Sequence, residues 1–168
     1  MRYNHAESDK KEDYISYLLT EMGYFPKVFR PLDSNGKRIA QTISPFGKYK
    51  IAVPDIDVYE TEDAKNAVLR VEVKGFVSFP EIRNMKYLIV ESRKFDNYME
   101  YFRLSEVETR IIFVVGENKK KYECYWEEIE NMNNTIFAKD DYTFSNGNIE
   151  KCLFWKPSDL HSGLGDFC

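Results

Sequence analysis

Across residues 8–22 the apolar positions Ile15, Leu18, Leu19 and Met22 recur at the three- and four-residue spacing of one helix face, and Gly23 follows where a helix would stop. The pattern predicts an amphipathic first helix. Residues 28–32 read as a short strand, and residues 33–50, polar and carrying Gly36, Pro45 and Gly47, read as a long loop. Apolar and acidic positions then alternate over 51–59, and 67–76 is rich in valine, while the connection 60–66 is polar apart from Ala64. Two strands joined by a polar turn predict a β-hairpin. Helical spacing returns over 92–104, with Phe95, Tyr98, Met99 and Phe102 on one side, and 111–115 is wholly apolar and reads as a strand. Residues 116–121 turn the chain into a further strand at 122–126, and beyond 127 the periodicity fades, with 152–155 as the one further strand it suggests. The order of helix, strands, helix and strands calls for an α/β fold, a mixed β-sheet flanked by helices.

A chain of 168 residues falls where one core serves one domain, so one domain is expected, with a core over residues 7–126 and a C-terminal extension over 127–168. The 43% hydrophobic content, with 12 Tyr and 12 Phe, is enough to fill that core. No run of about 18 apolar residues is present to span a bilayer, and residues 1–11 are too polar for a signal peptide. A cytoplasmic protein without a membrane partner is expected. The three cysteines form no CxxC pair and only His5 and His161 stand ready to join them, which argues against a zinc site. A net charge of −4 excludes a protein that holds nucleic acid by bulk electrostatics, so nucleic acid would have to be met by a local basic surface.

The chemistry concentrates in Pro54-Asp55-Ile56-Asp57-Val58 and Val71-Glu72-Val73-Lys74-Gly75. Strand side chains alternate faces, so Glu72 and Lys74 point one way together, as do Asp55 and Asp57. Three carboxylates and one ammonium then meet on one side of adjacent strands, set among valine and isoleucine. Burying such charges without partners costs several kcal/mol, and a bound cation removes the penalty. Hard oxygen ligands suit Mg²⁺ or Mn²⁺, which activate a water and polarise a phosphoryl oxygen. Lys74 beside that ion would orient the water, take its proton with a lowered pKa, or stabilise charge on the phosphorane. An acidic residue two before a lysine also occurs at Asp9/Lys11, Asp63/Lys65 and Glu117/Lys119, but only Glu72 and Lys74 lie inside an apolar strand. A salt bridge on a solvated face, worth about 0–1 kcal/mol, is the competing reading, and valine on both sides speaks against it. Asp57 is either a second metal ligand or the polar half of an alternating strand.

These residues resemble the PD-(D/E)xK nuclease superfamily, whose members include restriction endonucleases and Holliday-junction resolvases. The resemblance runs over roughly residues 7–115 and implies a restriction endonuclease-like core in αβββαβ order. It assigns metal binding to Asp55, Glu72 and the Val73 carbonyl, with Lys74 completing the catalytic set. Upstream, Glu12 stands in the first helix ahead of Gly23-Tyr24, where many members carry a further metal-site glutamate; a solvated helix residue is the alternative. Downstream, Lys94-Phe95 and Tyr98 precede the apolar strand. Lys94 and Tyr98 share a helix face suited to a phosphate, or else are a snorkelling lysine beside a packed tyrosine. Lys37, Arg38, Lys48 and Lys50 in the long loop would clamp a nucleic-acid backbone. The expected function is that of a Mg²⁺- or Mn²⁺-dependent endonuclease hydrolysing DNA phosphodiesters, as a homodimer if it cuts both strands. The alternative is a catalytically weak nuclease-fold module that binds nucleic acid or serves in assembly.

Overall fold

The computed structural model describes residues 5–37, 39, 42–43 and 51–167. Helix α1 (His5–Glu21) forms where the spacing predicts it, with Ile15 and Leu19 fully buried, and Gly23 at φ 91° lets the chain leave the helix. Strand β1 (Phe25–Val28) pairs antiparallel with β4 (Ile56–Tyr59), from Phe25↔Tyr59 to Val28↔Ile56. It therefore lies ahead of the expected 28–32. The pairing partner fixes it, and Pro26, which cannot donate to a ladder, is tolerated because β1 is the edge of its sheet. The expected strand over 51–59 is divided. Its first part, β3 (Ile51–Ala52), pairs with β2 (Thr42–Ile43) in a small ribbon, and β4 resumes after Pro54 and Asp55. A proline without an N–H breaks the ladder there and turns Asp55 out of register.

Strand β5 (Leu69–Phe76) closes the expected hairpin with β4, in the register Ile56↔Val71, Asp57↔Arg70 and Val58↔Leu69. A tight hairpin, β6 (Glu81–Ile82) and β7 (Met85–Lys86), leads to β8 (Leu88–Glu91), helix α2 (Ser92–Ser105) and β9 (Thr109–Val115), which lies parallel to β5. Then follow β10 (Glu123–Glu128), the short α3 (Ile129–Asn134), β11 (Ala138–Thr143), β12 (Ile149–Trp155) and β13 (His161–Ser162). The main sheet has the order β1-β4-β5-β9-β10-β13, and β11-β12-β8 form a second sheet.

Two apolar clusters place the functional strand. On one face of the main sheet Val71 and Val73 of β5, with Ile56, Val58, Ile112 and Val114, pack against Ile15 and Leu19 of α1. On the other, Ile111, Phe113 and Val115 of β9 meet Phe95, Tyr98 and Met99 of α2 and Leu88, Leu153 and Trp155 of the second sheet. The period-2 alternation of β5 thus sends its valines toward α1 and Glu72 and Lys74 toward α2. Residues beyond 127 belong to this core, since Trp155 is fully buried and its indole N–H donates to the Met132 carbonyl at 2.9 Å.

Candidate active site

The interruption between β3 and β4 holds Asp55 in place from two sides. Its backbone carbonyl accepts from the Phe29 N–H at 2.8 Å, and its Oδ2 accepts from the Val73 N–H at 2.9 Å. The carboxylate therefore occupies the position beside β5 where β4 has ceased to pair. Within a strand the N–H and C=O of one residue point to the same side, so the Val73 carbonyl is directed toward the same place. Glu72, only 4% exposed, accepts at Oε1 from the Lys74 ammonium and from the Tyr98 hydroxyl, and Lys74 also donates to the Tyr98 oxygen at 3.0 Å. Tyr98, carried by α2, thus ties carboxylate and ammonium together. Its ring centroid lies 5.0 Å from Lys74 Nζ, a cation–π contact.

The electrostatics are uneven. Burial, and then the nearby charges of Glu72 and Glu12, push the Asp55 carboxyl well above its usual range, and neither Lys74 nor the Val73 N–H offsets them. Burial on its own would lower the Lys74 ammonium, but Glu72, Tyr98 and Asp55 together outweigh it and hold the group well above its usual value. The expected lowering of Lys74 is corrected here: two carboxylates and a phenol oxygen face the ammonium. Burial and Glu72 likewise raise Tyr98, which remains a phenol.

The two further acidic candidates have arginine partners. Glu12 is 1% exposed; its Oε2 accepts from Arg30 Nε at 3.0 Å and its Oε1 from the Ser8 hydroxyl at 3.2 Å. Arg30, at the exit of β1, also donates to the Asp9 carbonyl at 3.0 Å and to Asp13 at 2.8 Å. Asp57 lies opposite Arg70 in the hairpin, and Arg70 Nε donates to its Oδ1 at 2.9 Å beneath the Tyr101 ring. The alternation of side chains put Asp57 on the expected face, but its oxygen meets a guanidinium. Arg70 Nη1 is buried without a hydrogen-bond partner among the described residues, a cost of about 1–3 kcal/mol. Sequence reasoning missed both arginines. Arg70 was within reach of the pattern, since 70, 72 and 74 alternate onto one face; Arg30 left no signal, because only the tertiary fold brings it to α1.

The expected phosphate contacts fare differently. Lys94 is paired with Glu91 at 2.9 Å at the start of α2, apart from the Glu72 cluster that Tyr98 joins. The two side chains are therefore divided between a half-buried ion pair and the site. Lys37 is exposed in a turn where its N–H donates to Asp33 Oδ1 at 2.9 Å. Arg38, Lys48 and Lys50 lie outside the described residues.

Among the described residues, no three Asp, Glu, His or Cys side chains already surround one ion-sized point. The donor chemistry nevertheless fits a hard divalent cation: the Asp55 and Glu72 carboxylates lie near enough for the charge of one to act on the other, in a place where a carboxylate charge is disfavoured, and added positive charge would relieve it.

The sequence matches no protein-family model and no curated protein. Solved structures do match in shape. Hjc, a Holliday junction resolvase from Archaeoglobus fulgidus, superposes with a TM-score of 0.51 at 12% identity over 90% of this chain and 89% of that one. D212, a nuclease from a fusselovirus, gives a TM-score of 0.54 at 9% identity over 99% of this chain and 90% of that one. At such identities the likeness speaks for architecture alone, and the chain has the restriction endonuclease-like fold.

Proposed function

We propose that this protein is a metal-dependent nuclease that hydrolyses DNA phosphodiesters as an endonuclease, with Asp55, Glu72 and Lys74 as its catalytic residues. One observation carries the reading: Asp55 is held beside Glu72, where burial and like charge disfavour its ionised form, with the Lys74 ammonium next to both. A matched surface ion pair has no such excess of negative charge. The fold supports the substrate class, since the similar structures are a resolvase of Holliday junctions and a viral nuclease.

In this reading Asp55, Glu72 and the Val73 carbonyl hold Mg²⁺ or Mn²⁺. When bound, the ion supplies an activated water and draws charge from the phosphoryl oxygen. Lys74, kept protonated by its neighbours, acts as a fixed positive charge that orients the attacking water and stabilises the phosphorane, and proton removal is left to another group. Tyr98 fixes the direction of that ammonium through its hydroxyl. Hydrolysis joins the water oxygen to phosphorus and releases the other nucleotide through its bridging oxygen. Cutting both strands requires two such sites, so a homodimer is part of the proposal.

Purified protein with Mg²⁺ or Mn²⁺ should cut plasmid or branched DNA, EDTA should stop it, and Asp55→Ala, Glu72→Ala and Lys74→Ala should each abolish cutting. DNA binding without cutting in either metal would instead support the binding-module reading. Single-stranded RNA in the same assay separates ribonuclease action, and light scattering in solution tests the dimer.

A further inference from the structure

We infer that the turn Lys119–Lys121 is a contact for the sugar-phosphate backbone of DNA, fixed at the end of the sheet where Asp55, Glu72 and Lys74 lie. The inference deepens the nuclease reading above and rests on it. Strands β5 and β9 run parallel, and their carboxyl ends, paired as Phe76↔Val115, lie two residues beyond Lys74, about 7 Å along an extended strand. Asp55 stands just ahead of β4, which runs antiparallel to β5 and so begins at the same end. The crevice outside the carboxyl ends of parallel strands is where open α/β sheets take their ligands. The connection from β9 to β10 crosses this end, with Lys119, Lys120 and Lys121 exposed in a 3₁₀ turn.

The backbone of this turn is tied to the strand that carries Lys74. The Gly116 N–H donates to the Phe76 carbonyl at 2.8 Å, and the buried Lys11 of α1 donates to the same oxygen at 2.9 Å. Gly116, at φ 135°, has no room for a side chain, since a Cβ would stand 2.9 Å from the Lys121 carbonyl. The Asn118 side chain accepts from the Lys120 N–H at 3.0 Å, and its carbonyl accepts from the Lys121 N–H at 2.9 Å. The side chains, by contrast, are left over. Among the described residues none of the three ammoniums closes an ion pair. Of the acids near them, Glu7 is taken by Lys10, Glu123 accepts from the Tyr125 hydroxyl at 2.8 Å, and Glu117 is exposed. Like charges held side by side repel one another, and a polyanion relieves the repulsion. A 3₁₀ turn spreads three consecutive side chains around its axis, so one or two of them face a backbone at once.

The far end of the same sheet has the opposite character. The turn joining β4 to β5 exposes Glu60, Glu62 and Asp63 against Lys65, and the approach to β9 adds Glu106 and Glu108, the latter paired with Arg110. A chain of net charge −4 thus keeps unpaired lysines beside the candidate site and an acidic surface away from it, which steers a phosphate backbone to one end.

The test is binding of a labelled DNA duplex to the full chain, followed by fluorescence anisotropy in EDTA over a range of salt concentrations. The triple variant Lys119→Gln/Lys120→Gln/Lys121→Gln should bind about tenfold more weakly, and its log affinity should fall less steeply with log salt, by about 1–2 in slope. A control with the same change of net charge elsewhere, Lys65→Gln/Lys139→Gln/Lys151→Gln, should stay within about twofold of wild type and keep its slope. Equal affinity and slope in wild type and the turn variant, or an equal loss in the control, would overturn the inference, and cutting by wild type in Mg²⁺ or Mn²⁺ would then leave the nuclease reading standing. Wild type that neither binds nor cuts DNA would remove both. Circular dichroism melts accompany each variant, and the turn lysines, exposed and without ion pairs, can be exchanged without loss of the fold.

Discussion

Two acidic and basic groupings lie one step apart on the same face of the β4–β5 hairpin, and they are built differently. Asp57 meets Arg70 one to one, with side chains 12% and 14% exposed. One step further, the Lys74 ammonium pairs with Glu72, and Asp55, which has only the Val73 N–H on its carboxylate, is left with a carboxyl pushed well up by burial and by its acidic neighbours. Burial and residue type are nearly the same in both, so neither separates a structural pair from a reactive cluster. The balance of charge does: the matched pair is complete as it stands, and the unmatched one has an affinity for added positive charge.

The largest expected effect breaks the two apart by activity. Asp55→Asn should lower cleavage by about a thousandfold, the scale on which single catalytic groups act, whereas Asp57→Asn should change it by less than about tenfold. Comparable losses in both, measured as initial rates on plasmid under saturating Mg²⁺, would mean that Asp57 belongs to the reacting groups.

Stability should run in the opposite order. Asp57→Asn leaves the Arg70 guanidinium buried without its carboxylate, at a cost of about 3 kcal/mol, and the melting midpoint should fall by about 6–12 °C. Asp55→Asn removes a carboxylate that its surroundings disfavour and keeps an oxygen for the Val73 N–H. It should raise the midpoint by about 2–4 °C, the equivalent of ~1 kcal/mol. A lower midpoint for Asp55→Asn in metal-free buffer would contradict the excess of negative charge on which the comparison turns.

How much of this contrast was legible in the sequence follows from which interactions are local. The hairpin, α2, β9 and β10 were readable because alternation or helical spacing continues long enough to declare itself. Strand 51–59 was misread as continuous because the weight of its alternation hid the break at Pro54, and that break is what points Asp55 at Val73. Helix α3, with six residues, is too short to show a period, and β11, AKDDYT, is too polar to read as a strand. Glu72 and Lys74 stood out as charges inside a valine strand. The partners of Glu12 and Asp57 did not, because Arg30 reaches α1 only through the packing of β1, and Arg70 was passed over although it shares the parity of Glu72. Sequence spacing places a side chain on a face; which opposite charge occupies that face is a matter of tertiary structure.

A smaller effect separates the two tyrosines that α2 contributes. Tyr98→Phe removes the hydroxyl between Glu72 and Lys74 and should slow cleavage about tenfold, with a stability loss of about 2 kcal/mol, as for a hydrogen bond to a charged group. Tyr101→Leu removes the ring over Arg70 and should cost about 1 kcal/mol of stability while the rate stays within about twofold. Equal rates in Tyr98→Phe and wild type would show that Lys74 holds its direction without help from α2.

The smallest difference is expected at Tyr59, and it tests what completes the matched pair. The Tyr59 hydroxyl approaches Asp57 Oδ2 only at 3.5 Å, against 2.9 Å from Arg70 Nε to Oδ1. A contact at that length is at the limit of a hydrogen bond, and the half-buried phenol has water as an alternative partner. Phenylalanine at 59 keeps the ring over which Lys27 Nζ lies at 5.5 Å. Tyr59→Phe should therefore change stability by less than about 0.5 kcal/mol and leave cleavage as in wild type. A loss close to that of Asp57→Asn would mean that the hydroxyl, rather than the guanidinium, holds the Asp57 carboxylate, and the matched pair would then owe its completeness to Tyr59 and not to Arg70.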